Sequence, residues 1–352
     1  MNSASISPPE FVKTITMNVL PPEEKVAINA FQNLSPDEIL DAVESQDLLC
    51  DGTLLPLNSY ENRVYQVGIE DGQPIIAKFY RPSRWDNIAI QEEHDFTRDL
   101  EAEELPVVAP LYNAQGQSIH QHGEFRFSLY PRKGGRTPEL DNPDQLEVIG
   151  RFLARIHLLG EQRNFSHRPE VDISTYGIEP SRYLLEQQKI PAGIETAYRS
   201  LIDDLLSKIN DHFKAAGDFQ TLRIHGDCHP GNILYRDEIP HIVDFDDARM
   251  GPAVQDIWMY LSGDRQYQTA RLLDILDGYT QFRDFNPREL HLVEALRSLR
   301  MIHYAAWLAK RAEDPAFKLA FPWFYTARYW DDHILALKEQ SALLDEEPLR
   351  WD

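Results

Sequence analysis

The chain has 352 residues, of which 42% are hydrophobic, so it can bury a large core and is long enough for two lobes. Lys plus Arg number 35 against 57 Asp plus Glu, and the resulting net charge of −22 opposes binding to nucleic acid or to anionic membranes. The sequence shows neither a long apolar span nor a secretory signal. Cys50 and Cys228, its two cysteines, predict free thiols in a reducing compartment. We therefore expect a cytoplasmic monomer.

The N-terminal residues 1–33 contain two proline pairs and no sustained periodicity, which predicts a flexible extension. A helix is predicted to begin after Ser35, because a serine N-cap, a proline at the first helical position and acidic residues in the first turn are typical of helix starts. We expect the folded part of the chain to begin at residue 34.

Short strand-like runs and one helix are predicted in the next hundred residues. The strands cover residues 54–57, 63–69, 74–80 and 124–130, with a hairpin turn at Asp71-Gly72, and the helix covers residues 87–105. After that the apolar spacing is mainly helical, with one β interruption over residues 221–247. The fold class predicted is α+β in two lobes, a β-rich one over residues 34–132 and a helical one over residues 133–352.

The β interruption contains the densest group of unusual polar residues, His225-Gly226-Asp227-Cys228-His229-Pro230-Gly231-Asn232. Asp227 lies in a loop after an apolar strand, where a carboxylate can face a substrate hydroxyl as a base or orienting group. Asn232, five residues later, offers a neutral oxygen suited to a hard divalent cation. Phosphoryl transfer needs these two kinds of group together with a cation on the phosphates.

A second acidic motif, Asp244-Phe245-Asp246-Asp247, follows at the end of an apolar strand predicted over residues 241–245. Pairing of this strand with the one after Asn232 would return Asp244 to the side of Asn232, which predicts Asp244 as the main metal ligand. Asp246 could share that face if the strand continued, or it could lie in a solvated acidic loop.

The cation is predicted to come from the first lobe. Lys78 interrupts the apolar strand Ile75-Ile76-Ala77-Lys78-Phe79, a pattern that resembles Val-Ala-Ile-Lys, and Glu93 on the following helix could hold it. The segment 57–65 occupies the place of a hairpin turn over nucleotide phosphates but lacks glycine. Ser59 within it could still present backbone N–H groups to phosphate oxygens.

An alternative interpretation makes His225, Asp227 and His229 ligands of a transition metal in a hydrolase. It leaves Asn232 and Asp244 without roles. Four other residues receive structural hypotheses. His157 is expected to be a hydrogen-bonded core histidine, Cys228 a small buried thiol and His225 a residue that shapes the loop, while Asp256 is either a helix N-cap or an anchor of the catalytic loop.

The motifs His225-Gly226-Asp227-x-His229-x-x-Asn232 and Asp244-Phe245-Asp246 resemble the signature of the aminoglycoside phosphotransferase and choline kinase superfamily. With residues 57–65 and 244–258 added, the chain resembles the bacterial stress response kinase A family (the RdoA/YihE group) from about Phe31 to its C-terminus. The resemblance implies a bilobal protein-kinase-like fold, ATP and Mg²⁺ as cofactors, and phosphorylation of Ser/Thr in proteins, including autophosphorylation.

By the same resemblance, catalytic roles fall on Asp227, the base, and Asp244, which would hold magnesium together with Asn232. Lys78 and Glu93 match an ion pair. Ser59 matches the phosphate-covering loop, and Tyr130 falls where the lobes join and adenine would bind. A kinase for small-molecule alcohols (choline, homoserine or aminoglycoside) and a nucleotide-binding scaffold remain open alternatives.

Overall fold

A computed structural model describes residues 30–57 and 59–351. The described residues leave out residues 1–29 of the predicted extension, which covers residues 1–33. They also leave out Asn58 of the predicted phosphate loop. None of the helices in the two described ranges combines the length and the apolar character of a membrane span.

The first half of the chain forms an antiparallel five-stranded sheet in the order β1-β2-β3-β5-β4. Helix α1 (Pro36–Glu44) precedes it and begins as predicted, since the hydroxyl of Ser35 accepts a hydrogen bond from the N–H of Glu38. The strands and the second helix are β1 (Cys50–Pro56), β2 (Arg63–Ile69), β3 (Ile75–Phe79), α2 (Asn87–Ala102), β4 (His120–His122) and β5 (Phe125–Pro131). The short β4 was not predicted.

The second half is mainly helical and contains two small sheets. Its helices are α3 (Pro143–Gly160), α4 (Glu179–Glu186), α5 (Glu195–Ala216), α6 (Arg265–Tyr279), α7 (Val293–Arg311), α8 (Pro315–Ala320) and α9 (Ala327–Leu343). The sheets pair β6 (Leu222–Ile224) with β9 (Arg249–Gly251), and β7 (Ile233–Arg236) with β8 (Ile239–Ile242). Strands β6, β7 and β8 lie in the predicted β interruption, and β9 begins just after its predicted end at residue 247.

Two hydrophobic cores stabilise the halves. One lies between the five-stranded sheet and α1, and the larger one fills the helical half. Helix α2 belongs to the larger core through Phe96 and Leu100, both fully buried, although it lies in the β-rich half of the sequence. This helix is therefore packed onto the helical half. The α+β bilobal fold is confirmed, and the residue boundaries predicted for the lobes stay a prediction.

Candidate active site

A buried carboxylate holds the loop that contains Asp227. Asp256 is fully buried and accepts hydrogen bonds from the backbone N–H groups of His225 and Gly226, each at 2.8 Å. Its Oδ2 also lies 3.2 Å from Nε2 of His157, whose Nδ1 is 2.8 Å from the hydroxyl of Tyr279. Asp256 is thus the loop anchor, as one of the two hypotheses held, and His157 is a hydrogen-bonded core histidine.

The loop can lie this close to the second motif only because residue 226 is glycine. Gly226 has φ +83°, and a Cβ on it would lie 2.2 Å from the backbone oxygen of Asp247. His225 adds a contact between the same segments, with Nε2 2.9 Å from the carbonyl oxygen of Val243, which agrees with its predicted role in shaping the loop. Cys228 is fully buried, and burial raises the pKa of its thiol well above the ordinary value, so it is unsuited to act as a nucleophile.

Replacing the anchor should destabilise the fold. Asp256→Ala leaves two buried N–H groups and His157 without their acceptor, and we expect the free energy of unfolding to fall by about 2–5 kcal/mol. Urea denaturation followed by circular dichroism measures this change. The exposed Asp218 provides the matched control Asp218→Ala. A loss no larger than that of the control would contradict the anchoring role.

Asp227 and Asn232 are joined within the loop. The side-chain Nδ2 of Asn232 donates to the backbone oxygen of Asp227 at 2.9 Å, which fixes the orientation of the amide and leaves its Oδ1 as an acceptor. The carboxylate of Asp227 is partly exposed, and Nη1 of Arg300 on α7 lies 2.7 Å from it. Both residues line the cleft between the two halves of the molecule.

The hairpin β7–β8 brings Asp244 beside Asn232, as predicted. Ile233 pairs with Ile242, and just beyond this pair the N–H of Val243 donates to the backbone oxygen of Asn232 at 3.0 Å. The strand ends at Ile242, earlier than predicted. Asp244 then adopts φ 62° and ψ 63°, and residues 245–247 form a short 3-10 turn, so Asp246 does not continue a strand face from Asp244.

The donor set fits a hard divalent cation. Asn232 Oδ1 and the half-exposed carboxylate of Asp244 are oxygen donors of the kind Mg²⁺ uses when a nucleotide supplies further ligands. The hydrolase interpretation finds no support, because backbone groups of Val243, Asp227 and Gly231 already contact both ring nitrogens of His225 and Nδ1 of His229. Across residues 30–57 and 59–351, no group of three or more His, Cys, Asp or Glu side chains is arranged to hold a metal.

Lys78, on the central strand β3, reaches the acidic motif. Its Nζ lies 3.0 Å from Oδ1 of Asp244 and 3.1 Å from Oδ1 of Asp246. Burial opposes the charged form of this buried lysine, but the two carboxylates outweigh it and raise the pKa of Lys78 well above its ordinary value. Lys78 is therefore a fixed cation beside Asp244 and Asp246.

The predicted ion pair between Lys78 and Glu93 is not formed within 4.0 Å. Glu93 is buried, and its nearest cationic partner is Nη1 of Arg168 at 3.6 Å from Oε2. Arg168 is held there by bonds to three backbone carbonyls, one of them that of Ala89 on α2 at 2.8 Å. Burial raises the pKa of Glu93 to about 7. Lys78 lowers the pKa of Glu93 more than Arg168 does, but its direct ion pairs are with the closer carboxylates of Asp244 and Asp246.

Two arginines that the sequence analysis missed form ion pairs with the acidic motif. Arg84 forms ion pairs with Asp246 and, at 2.8 Å, with Asp247, which also accepts from Arg249 at 2.7 Å. Asp246 accepts a further bond from Nδ2 of Asn62 at 3.2 Å. The carboxylate of Asp246 is thus engaged by protein groups from the sheet half, and it links the two halves. No spacing pattern in the sequence indicates these arginines.

Ser59 lines the cleft, and the residues that follow it tie the β1–β2 loop to the helical half. Glu61 accepts from Nε and Nη2 of Arg311 at 2.7 and 2.8 Å, and from Nε1 of Trp307 at 2.9 Å. The hydroxyl of Tyr60 donates to Asp314 at 3.2 Å. We call these five residues, Tyr60, Glu61, Trp307, Arg311 and Asp314, the interlobe clamp.

The bond at the centre of the clamp can be measured by a double-mutant cycle. Glu61→Gln and Arg311→Gln each break the two-pronged ion pair, and we expect a coupling free energy of about 1–3 kcal/mol between them in urea denaturation. An exposed pair on α9, Arg328 with Asp332, supplies the control cycle, for which coupling should stay below about 1 kcal/mol. Additive effects of Glu61→Gln and Arg311→Gln would show that the clamp does not hold the loop.

Tyr130 lies at the end of β5, where the chain leaves the sheet for α3. Its hydroxyl is 3.1 Å from that of Tyr80 and 3.3 Å from Nε2 of His94, so the side chain belongs to a polar cluster with these two residues. Tyr130 is not among the residues that line the cleft. Its predicted role beside adenine stays a prediction.

The cleft has a volume of 1680 Å³ and receives residues from both halves, among them Ser59, Asn62, Asp227, Asn232 and Asp244. Ordinary small-molecule pockets measure roughly 300–1,000 Å³. The cleft therefore has room for a nucleotide and a second substrate. The Asp227 carboxylate and the two oxygen donors in the cleft, together with the buried Lys78 that contacts one of these donors, are the groups that phosphoryl transfer requires.

Solved structures with this fold include an amicoumacin kinase, at a TM-score of 0.66 and 20% identity over 89% of this chain and 95% of that one. A microcompartment-associated aminopropanol kinase gives a TM-score of 0.65 at 16% identity over 86% of this chain and 96% of that one. Residues 53–315 match the model of the phosphotransferase enzyme family, and the chain belongs to this family.

Among curated proteins, the chain is 44% identical to stress response kinase A of Escherichia coli strain K12 over 321 residues, which are 91% of this chain and 96% of the relative. The same identity and coverage hold for the serine/threonine protein kinase RdoA of Salmonella typhimurium strain LT2. The resemblance to the stress response kinase A family is thereby confirmed. The chain is an enzyme of the kinase class.

Proposed function

We propose that this enzyme transfers the γ-phosphate of ATP, with Mg²⁺, to Ser and Thr hydroxyls of proteins in a bacterial stress response, and that it also phosphorylates itself. The observation that carries the proposal is the backbone bond between Val243 and Asn232, which brings Asp244 and Asn232 together next to Asp227. One loop and one hairpin thus supply a base and two oxygen donors to the same cleft.

Each residue has a distinct task in this proposal. Asp227 would orient the acceptor hydroxyl and take its proton. Asn232 Oδ1 and the Asp244 carboxylate would hold Mg²⁺, which neutralises phosphate charge when it is bound. Lys78 would add a fixed positive charge for the phosphates, and the loop at Ser59 would cover them. Since the chain carries a net charge of −22, this local cation is needed to bind a polyanion.

The cofactors and the location are part of the proposal. The amicoumacin kinase structure was determined with AMP-PNP and Ca²⁺, which supports a nucleotide and a divalent cation for this fold. Both cysteines are free thiols, which agrees with a location in the reducing cytoplasm. The choice of a protein acceptor is supported by the relatives named for stress response and Ser/Thr kinase activity.

Incubation with γ-labelled ATP and a bacterial lysate tests the acceptor class. We expect magnesium-dependent label on proteins, recovered as phosphoserine or phosphothreonine, and no loss of labelling when zinc is chelated. Consumption of ATP that depends on a metabolite pool, with no protein labelled, would favour a kinase for small-molecule alcohols. Binding of ATP without transfer to any acceptor would favour a scaffold, and either result would contradict the proposal.

A further inference from the structure

Arg300 on α7 forms an ion pair with the proposed base. Its Nη1 lies 2.7 Å from Oδ1 of Asp227, and its side chain is 41% exposed. The other ionisable neighbour of this carboxylate within 4.0 Å, across the described part of the chain, is His229 at 3.7 Å. Arg300 is therefore the closest cation to the proposed base.

In the absence of substrate, this ion pair occupies the carboxylate that is proposed to accept the proton of the acceptor hydroxyl. The ion pair occupies Oδ1 of Asp227, which an acceptor hydroxyl could otherwise contact. When an acceptor hydroxyl takes its place at Asp227, Arg300 needs another anionic partner or returns to solvent. The ion pair thus implies that the acceptor rearranges Arg300.

The protein offers Arg300 little alternative within the cleft. The nearby carboxylate of Asp247 is already shared between Arg84 and Arg249. His303, one turn along α7, stacks on Tyr176 with ring centroids 4.4 Å apart, and burial lowers its pKa to about 3, so it is uncharged. An anion that approaches from the cleft therefore competes with Asp227, the proposed base, for the guanidinium of Arg300.

We propose that Arg300 binds an anionic group of the acceptor, a carboxylate or a phosphate, located next to the hydroxyl that is phosphorylated. This inference rests on the proposed function. The hydroxyl would lie roughly 2.6–3.2 Å from Asp227, and Arg300 contacts the same carboxylate. Hydroxyl and anion therefore lie close together, within reach of side chains whose Cα atoms are about 3.8 Å apart or twice that distance. The acceptor class is a Ser or Thr with Asp, Glu or a phosphorylated residue one or two positions away.

The charge of this cleft does not favour acidic peptides in general. Its lining contains nine Asp or Glu side chains against seven Arg or Lys side chains, and the whole chain has a net charge of −22. Arg182 on α4 also lines the cleft, and within the described residues no carboxylate lies within 4.0 Å of it. Arg182 is thus a control cation that lines the same cleft and forms no ion pair with Asp227.

The test compares kcat/KM for synthetic Ser peptides that are neutral except for one neighbour of the Ser, which is Asp, phosphoserine, Asn or Lys. Wild-type enzyme should prefer Asp or phosphoserine over Asn by about tenfold or more, which one charge-assisted hydrogen bond can supply. Arg300→Gln should reduce this ratio to about twofold, and Arg300→Glu should favour the Lys peptide. Arg182→Gln should keep the wild-type ratio. Preference for one anion over the other would identify carboxylate or phosphate as the group bound.

The reversal in Arg300→Glu separates binding from a purely structural role, because loss of structure lowers the rates for all peptides alike. If the wild-type enzyme labels all the peptides at similar rates, this inference is overturned and the proposed function still stands. An equal fall of all rates in Arg300→Gln with an unchanged ratio would also overturn it. If no peptide is labelled at all, the proposed function fails together with the inference.

Discussion

Asp227→Asn is expected to lower kcat for phosphoryl transfer by about 10²–10⁴-fold, the range for removing a positioned general base. The amide cannot take the proton of the acceptor hydroxyl. The loop itself should persist, because Asn232 is bonded to the backbone oxygen of Asp227 and the anchor Asp256 bonds to the residues before it. Affinity for ATP should therefore stay within about twofold of wild type, a change worth less than about 0.5 kcal/mol.

Steady-state kinetics with labelled ATP and calorimetric binding of a non-hydrolysable analogue check both parts of this prediction. Asp218→Asn, at an exposed position, is the control for the same chemical change. A kcat within threefold of wild type would show that Asp227 is not the base. A parallel loss of nucleotide binding would indicate instead that the substitution disturbs the loop.

Asp244→Asn should reduce magnesium-dependent turnover by about 10³-fold or more, because loss of a metal ligand removes several kcal/mol of charge stabilisation in phosphoryl transfer. The substitution removes one of the two carboxylates that contact Lys78 and leaves Asp246 in place. Asn also tolerates the left-handed backbone of this position, φ 62°. The fold should therefore be retained.

The chain contains a matched control for this substitution. Asp237, in the β7–β8 turn, is exposed and has φ 51°, so Asp237→Asn changes the same group in the same backbone conformation away from the site. Activity titrated with Mg²⁺, together with Mn²⁺ binding followed by electron paramagnetic resonance, measures the effect. Retained activity in Asp244→Asn, or activity that follows zinc content, would contradict the assignment.

The sequence was most informative where the site depends on local geometry. Asp227, Asn232 and Asp244 lie on one loop and one hairpin, so their spacing and the strand pairing rule already place them together. Lys78 could be predicted because it interrupts an apolar strand, and its position on the central strand of the sheet agrees with this prediction. For these residues, the short-range sequence pattern and the chemistry of the side chains are enough to predict their place in the site.

The rest depends on contacts between segments that are distant in the chain. Glu93 lies near Arg168 instead of pairing with Lys78, and nothing in either segment indicates this choice. Helix α7 contains several arginines, and only the packed fold shows that Arg300 reaches the base while Arg311 reaches Glu61. The early end of β8 depends on the left-handed Asp244, a conformation that the alternation of apolar residues does not predict.

The most direct test of the central claim is a crystal structure of the enzyme with Mn²⁺ and a non-hydrolysable ATP analogue. Anomalous scattering should locate the metal about 2.0–2.2 Å from Asn232 Oδ1 and a carboxylate oxygen of Asp244, with the terminal phosphate facing Asp227. A metal bound by His225 or His229, or a nucleotide whose terminal phosphate lies away from Asp227, would contradict the account.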